Sequence, residues 1–261
     1  FFASFPLFYS TSFGGAYWVW IAILITFVFQ AVSYEFQSKA GNILGKNAFR
    51  IFLMLNGLLA PWLIGAAVGT FFTGSAFVVN KDAVADIGAP VISRWVSDWG
   101  GLEAVANGFN LCLAHLVMFL AIVLGALYAI NNISHPSLAD KLRKSLLRSF
   151  VLFLVVLVLV LAQLFTMDGF AVDAQGVVSM VEYKYLFNLI EMPVVLVMFL
   201  VGAVLLVAGV VLTLLRKTFT RGIWLAGPGT VLVVMALFMI AGYNGTAYYP
   251  STADLQSSLT L

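Results

Sequence analysis

Residues 193–215 read PVVLVMFLVGAVLLVAGVVLTLL, an apolar run without a single charged side chain. A helix of about 20 residues crosses the roughly 30 Å hydrocarbon core of a bilayer, so this run predicts a transmembrane helix. Runs of the same kind recur on both sides of it. The six predicted spans cover residues 16–32, 51–71, 109–130, 149–165, 193–215 and 223–241. Because the runs are continuous rather than alternating, they favour an all-α polytopic bundle over a barrel.

The overall composition leads to the same class of protein. Of the 261 residues, 62% are hydrophobic and 9% are charged, whereas soluble domains carry roughly 25% charged residues. The composition therefore excludes a soluble globular protein. No linker or soluble domain separates the apolar runs, so we predict one membrane domain over residues 1–261. A net charge of +2, thinly spread, argues against a nucleic-acid partner.

Basic residues predict the orientation of the spans. Ten of the 13 lysines and arginines lie in three alternate connections, residues 33–50, 131–148 and 216–222. Cytoplasmic loops of membrane proteins are enriched in these residues, so the three connections are predicted to be cytoplasmic. Both ends of the sequence are then predicted to lie outside. Aromatic residues next to the span ends in the outer connections are predicted to lie at the membrane interface: Trp95, Trp99, Tyr183, Tyr185, Tyr248 and Tyr249.

A GxxxG pattern occurs in the second predicted span. Gly65 and Gly69 lie four residues apart, and Pro61 precedes them by one turn. Small residues at this spacing allow two helix backbones to approach closely in lipid, which predicts a helix-packing face. A glycine-lined path for a small molecule is the alternative interpretation.

Three titratable residues in or beside the spans are candidates for a proton path. His115 lies about two turns into the third predicted span, where it is either a bundle-interior histidine with its hydrogen bonds satisfied or a proton relay. Glu191 precedes Pro193, where it is a helix N-terminal acid favoured by the dipole, a group that shuttles protons, or a contact for a partner subunit. Asp168 is followed by Gly169, which predicts a turn and a cap at the outer end of the fourth span.

The sequence contains few ligands for metals or haem. It has one cysteine, Cys112, and two histidines, His115 and His135. A bis-histidine haem site needs a second histidine within the membrane, and a zinc or copper site beside Cys112 needs further ligands. We therefore predict that this chain binds no metal and no haem.

Short segments along the whole chain resemble subunit II of the cytochrome bd-type quinol oxidases. They lie in the same order and at similar spacing: Phe5-Pro6 to Gly14-Gly15, residues 34–39, Asn56-Gly57, residues 63–70 with Gly74 and Phe77, Asn107-Gly108-Phe109, residues 125–128, Asp168-Gly169-Phe170, and Pro250-Ser251-Thr252 with Ser258-Leu259-Thr260. The family has eight spans in two four-helix bundles, so the resemblance implies that the first and last spans are absent from this sequence. A start at Phe1 fits the expectation of a fragment.

The resemblance implies a role in respiration. In this family, quinol (ubiquinol or menaquinol) is oxidised, oxygen is reduced to water, and a proton-motive force is generated across the bacterial inner membrane. It implies that haem b and haem d are held by the partner, subunit I, that quinone is a substrate or structural lipid, and that a small accessory subunit can attach. Two alternatives stay open: a secondary transporter, in which Pro61 and residues 227–229 would break helices at the midplane, and a purely structural membrane subunit.

Overall fold

The computed structural model describes residues 3–39, 41, 44–80 and 93–261. Its α-helices in this part of the chain are α1 (Pro6–Gly14), α2 (Tyr17–Phe36), α3 (Gly45–Thr73), α4 (Gly108–Asn132), α5 (Pro136–Thr166), α6 (Lys184–Glu191), α7 (Pro193–Leu215) and α8 (Ile223–Gly242). Six of them, all except α1 and α6, are long and apolar enough to cross a membrane. The prediction of an all-α polytopic membrane protein is confirmed.

The structure extends two of the predicted spans well into the predicted connections. α5 begins at Pro136 instead of residue 149, and α3 begins at Gly45 instead of residue 51. The prediction that residues 131–148 form a loop is thus wrong for all but residues 133–135, because α4 ends at Asn132 and α5 begins at Pro136. Leu138, Leu142 and Leu146 recur every four residues between the charges, which gives this segment a helical apolar stripe. The apolar run of this span begins only after the charged residues among 140–148, but the hydrogen-bonded helix already includes them.

Two short β-hairpins and two short helices were not predicted. Strand β1 (Phe77–Val79) pairs antiparallel with β2 (Ser93–Trp95), and β3 (Gly169–Val172) pairs with β4 (Val178–Val181). In the second hairpin Gly169 lies opposite Val181. The Asp173 carboxylate accepts hydrogen bonds from two backbone N–H groups of its turn, which fixes that turn. Strands of three or four residues are too short to produce a visible alternation in the sequence.

The residues group into two compact units. The first comprises Phe1–Met118 with Tyr249–Leu259, and the second comprises Phe119–Tyr248 with Thr260–Leu261. In the first unit, α2 packs against α3 and against a 3₁₀ helix, Leu102–Val105. Their common core contains small and branched side chains: Ala16, Val19, Ile23, Ala67 and Ala104.

The segment 249–259 completes the core of the first unit. Tyr249 is fully buried, with its ring stacked on Phe77 at a centroid distance of 5.6 Å. Its hydroxyl group lies 3.1 Å from the Ser75 Oγ and 3.3 Å from the Thr70 Oγ1. Backbone bonds from Ser75 N to the Pro250 carbonyl and from Thr252 N to the Ser75 carbonyl hold the segment beside the end of α3. The first residues of this segment are therefore structural parts of the first unit.

Glycines bring α7 and α8 together in the second unit. A Cβ at Gly202 would lie 2.7 Å from the Gly229 carbonyl oxygen, and one at Gly209 would lie 2.5 Å from the Gly222 carbonyl oxygen. Side chains at these positions would therefore force the two backbones apart. Arg143 of α5 donates hydrogen bonds to the carbonyls of Thr213 and Lys217, near the end of α7, where the last turn leaves acceptors unsatisfied.

Each span leaves part of its apolar surface uncovered by the chain itself. Only 22% to 33% of the residues in the apolar windows of the six spans are buried. Val194, Val204 and Val158 are more than 60% exposed. Exposed apolar faces of this extent are compatible with lipid or with another membrane chain, but not with water.

Candidate functional site

The GxxxG glycines lie against α4. A Cβ at Gly65 would lie 2.7 Å from the Ala114 Cα, and a Cβ at Gly69 would lie 2.3 Å from the Asn110 Oδ1. Both glycines are buried. The two positions therefore permit a close approach of α3 and α4 within this chain. The predicted packing face of α3 is thus occupied by α4 and is not left for a separate membrane chain.

Pro61 lies inside α3, which continues from Gly45 to Thr73. Pro228 likewise lies inside α8, which continues from Ile223 to Gly242. Proline is tolerated within membrane helices because neighbouring groups satisfy the freed carbonyl. Neither position produces a broken helix, so the feature that favoured a transporter is not seen at these prolines.

His115 is not an interior residue of the unit that contains it. Its side chain is exposed on α4, and its Nδ1 atom lies 2.7 Å from the Leu111 carbonyl oxygen one turn earlier. The Trp62 ring meets it edge-on, with 5.8 Å between ring centroids. The bundle-interior interpretation was wrong because helical position alone does not say which face a neighbouring helix covers. One ring nitrogen is engaged by the backbone, and Nε2 is left for a further contact.

Glu191 is the last residue of α6 and not the first acid of the following span. A helix C-terminus carries partial negative charge, so the predicted dipole stabilisation does not arise from α6. The side chain is exposed, and Asn244 Nδ2 donates a 2.6 Å hydrogen bond to its Oε2. The prediction missed α6 because an eight-residue amphipathic helix directly before Pro193 has no apolar run of its own.

Lys184 and Asn188 complete a polar cluster around Glu191. The Lys184 ammonium donates to the Asn244 carbonyl at 2.8 Å. Partial burial lowers the pKa of Lys184, and attraction by Glu191 opposes this shift. Asn188 is fully buried and donates to the Ile240 carbonyl at 2.8 Å and to Thr246 Oγ1 at 2.6 Å. The cluster therefore joins α6 to the segment that follows α8.

Asp168 lies in the two-residue connection between the end of α5 and strand β3. Its side chain is exposed. The following Gly169 is buried and packs closely against α6. A side chain at this position would clash, because its Cβ would lie 2.7 Å from the Lys184 Cβ. Asp168 thus follows the fourth span as predicted, but the glycine beside it serves packing and not only a turn.

The candidate proton-path residues are not gathered into one site by the described geometry. His115 belongs to the first unit, whereas Glu191 and Asp168 lie at different elements of the second. Within the described residues there is no group of three or more histidine, cysteine or acidic side chains placed to hold a metal ion.

Two aromatic residues predicted at the membrane interface are fully buried instead. Tyr185 and Tyr249 have no exposed surface, and burial raises the pKa of each hydroxyl group. For Tyr249, hydrogen bonds to Ser75 and Thr70 oppose this rise. Composition alone could not have identified them, because amphipathic rings suit both an interface and a hydrogen-bonded core.

Six long apolar helices with exposed apolar surface define a multi-pass helical membrane protein. The family model for cytochrome bd terminal oxidase subunit II matches residues 1–261, and the chain belongs to that family. The resemblance stated from the sequence is therefore confirmed.

Curated relatives agree with this assignment at low identity. The chain is 24% identical over 124 residues to the Bacillus subtilis (strain 168) cytochrome bd ubiquinol oxidase subunit 2, covering 46% of this chain and 34% of that protein. It is 28% identical over 80 residues to the Escherichia coli (strain K12) cytochrome bd-I ubiquinol oxidase subunit 2, covering 31% of this chain and 21% of that protein. The matched regions thus span about a third or less of these relatives.

Proposed function

We propose that this chain acts as the non-haem subunit II of a cytochrome bd-type quinol oxidase. In that role it supports quinol oxidation coupled to the reduction of oxygen to water and to the generation of a proton-motive force. The family match over residues 1–261 is the observation that carries the proposal. The names of the relatives, which are subunits of ubiquinol oxidases, support it.

The redox centres are assigned to the partner in this proposal. Haem b and haem d belong to subunit I, and quinone is a substrate or a structural lipid. The sequence supplies two histidines in all, and Nδ1 of His115 is already hydrogen-bonded to its own helix. The exposed faces of the spans supply the surface on which subunit I, a small accessory subunit and lipid would pack.

The proposed location is the bacterial inner membrane. Residues 33–50, 131–148 and 216–222 face the cytoplasm, because they carry most of the basic residues. The helical part of residues 131–148 then extends α5 beyond the bilayer on that side. α5 has 31 residues, about 46 Å at 1.5 Å per residue, against a core of roughly 30 Å.

Within this function, Glu191 is our candidate for exchanging protons at a span end. It is exposed, and it lies near the ammonium of Lys184, whose pKa burial lowers. A carboxylate and an amine that share one amide neighbour, Asn244, form a polar surface on which a proton can transfer between water and protein. His115 and Asp168 are secondary candidates, each without a described acidic or basic partner.

A secondary transporter and a purely structural subunit are the competing proposals. The continuity of α3 and α8 through Pro61 and Pro228 argues against the broken helices of the first. Purification of the native complex from its own membrane, by a tag on this chain, discriminates between the classes. We expect a reduced-minus-oxidised spectrum with haem b and haem d bands in proportion to this chain, and quinol-driven oxygen consumption. A purified complex without haem bands would contradict the proposal.

A further inference from the structure

A polar cavity of about 160 Å³ lies in the first unit, where α1, the end of α3, strand β2, the 3₁₀ helix Leu102–Val105 and the start of α4 meet. Its lining includes the side chains of Glu103, Asn107, Asn110, Thr73 and Ser75. At roughly 30 Å³ for each water in the liquid, the volume accommodates about five water-sized molecules.

Glu103 is the acidic side chain in the described lining of this cavity. Its Oε1 atom is buried and has no hydrogen-bond partner in the described part of the chain. No lysine, arginine or histidine belongs to the described lining of the cavity. A buried carboxylate oxygen is costly unless it is paired, and a cation that enters from solution is a partner of matching chemistry.

The other polar groups of the lining are mostly neutral oxygen atoms. Asn107 Oδ1 already accepts from the backbone N–H groups of Phe109 and Asn110, which caps the start of α4. Asn110 Oδ1 accepts from Thr73 Oγ1 at 3.0 Å. These bonds hold the oxygen-bearing side chains in place around the cavity, and hydroxyl oxygens at Thr73 and Ser75 keep further lone pairs.

We propose that this cavity binds a hydrated alkali-metal cation, with the Glu103 carboxylate as its charged ligand. This proposal departs from the sequence prediction of no bound metal, which considered only histidine and cysteine ligands. Hard cations prefer oxygen ligands, and ligand charge sets which cations are retained. A single carboxylate among neutral oxygens balances one positive charge, whereas a divalent ion would be left with excess charge. The site is independent of the oxidase function proposed above and requires neither haem nor quinone.

The cation would also join separate elements. The 3₁₀ helix that carries Glu103 packs on the start of α2, since a Cβ at Gly101 would lie 2.6 Å from the Ala16 Cα. The cavity lies between this helix and the polar ends of α3 and α4. A cation bound there therefore stabilises the folded unit by mass action, and stability reports its binding.

The test is the thermal unfolding midpoint of the purified complex in sodium, potassium and choline chloride at equal ionic strength. At ten times the dissociation constant we expect sodium or potassium to raise the midpoint by about 3–6 °C over choline. The two alkali salts distinguish which ion the cavity prefers. Glu103→Gln preserves the shape and removes the charge, so it should abolish the difference, whereas the exposed Glu182→Gln should retain it.

A second measurement covers the case in which Glu103→Gln alters folding. The wild-type complex, equilibrated with radioactive sodium or rubidium ions, should retain about one ion more per complex than the Glu103→Gln variant. Equal midpoints in all three salts would overturn the proposal. Equal cation dependence, or equal ion retention, in the wild type and the Glu103→Gln variant would overturn it as well.

Discussion

At the scale of the residue, Asn244 bridges the two ends of α6. Lys184 begins this helix and Glu191 ends it, so both charges oppose the helix dipole. Asn244 accepts from the first through its carbonyl and donates to the second through its amide. It adopts a left-handed backbone conformation, with φ of 57°, which asparagine tolerates better than most residues. Asn244 thus supplies each of the two charges with a local hydrogen-bond partner.

Glu191→Gln tests the proposed proton exchange. Glutamine keeps an oxygen that can accept from Asn244 but loses the exchangeable proton. We expect haem content to be unchanged and quinol-driven oxygen consumption per haem to fall by about a hundredfold, the lower end of the usual range for loss of acid–base assistance. The rate should be measured from pH 6 to 9, with Glu182→Gln as the control for loss of an exposed carboxylate.

Wild-type rates for Glu191→Gln over this pH range would leave α6 as a structural element only. His115→Phe belongs in the same series. Because His115 is exposed on α4 and its Nδ1 already contacts a backbone carbonyl, we expect that variant to keep the wild-type rate.

Tyr249→Phe tests the buried hydroxyl group at the end of α3. Burial raises the pKa of Tyr249 above its ordinary value of 10.0, so the folded state retains a proton that the unfolded chain loses. The resulting stability is fully present below pH 10 and is lost as pH rises from there towards the folded pKa. We expect the variant to lose about 1 kcal/mol at pH 8 and to show a shallower decline above pH 10.

The measurement for Tyr249→Phe is the thermal midpoint of the purified complex from pH 8 to 11. Parallel curves for the wild type and the variant would contradict the assignment. Identical midpoints at pH 8 would contradict the contribution of the hydrogen bonds to Ser75 and Thr70.

At the scale of the element, close helix packing depends on a few glycines. Gly65 and Gly69 allow α3 to contact α4, and Gly202 and Gly209 allow α7 to contact α8. In lipid there is no hydrophobic driving force between apolar helices, so direct van der Waals contact provides much of the association. Other glycines in the same helices face open space, among them Gly57 and Gly227. A substitution at one of these open glycines is therefore a control for the same substitution at a packed glycine of the same helix.

Gly65→Leu should separate α3 from α4, because the new side chain would occupy the space of the Ala114 backbone. We expect a destabilisation of about 1–3 kcal/mol or more, as for other overpacked interiors. The haem-bearing complex should be depleted from the membrane, measured as haem and subunit content. Gly57→Leu adds the same side chain to the same helix at an open position, and it should leave the complex intact. Equal depletion in both variants would contradict the packing role of Gly65.

At the scale of the whole molecule, charge asymmetry bears on the orientation of the chain in the membrane, and exposed apolar surface bears on its contacts with lipid and with a partner. Basic residues concentrate in alternate connections, and most residues of the spans are not fully buried by the chain. The first feature predicts orientation, and the second provides room for a partner and for lipid.

Single cysteines at Lys46, Lys144 and Lys217 test the orientation after Cys112, the sole native cysteine, is replaced by alanine. All three positions are exposed. We expect each to react with a membrane-impermeant maleimide only in inside-out vesicles. A cysteine at the exposed Gln175, in the turn between β3 and β4, should react only in right-side-out vesicles. Labelling of any one of the four from the opposite side would contradict the six-span orientation.

The sequence by itself determined the class, the number of spans and the family. These properties depend on long apolar runs, on charge counts and on ordered motifs, all of which can be read along the chain. The limits of Pro193–Leu215 were predicted to the residue, because Pro193 begins this helix and the charged Arg216 follows its end. The start of α5 was missed, because a helix can continue through charged residues once it has left the hydrocarbon core.

Only the tertiary structure decided which side chains face one another. Glu191 contacts Asn244 across 53 positions of the sequence, and Tyr249 contacts Ser75 across 174. It also placed Glu103 beside Asn110 and Thr73 at one cavity, and it placed His115 on an exposed face. Local patterns specify each helix, but a contact between distant segments depends on how helices pack, and the packing depends on all of them at once.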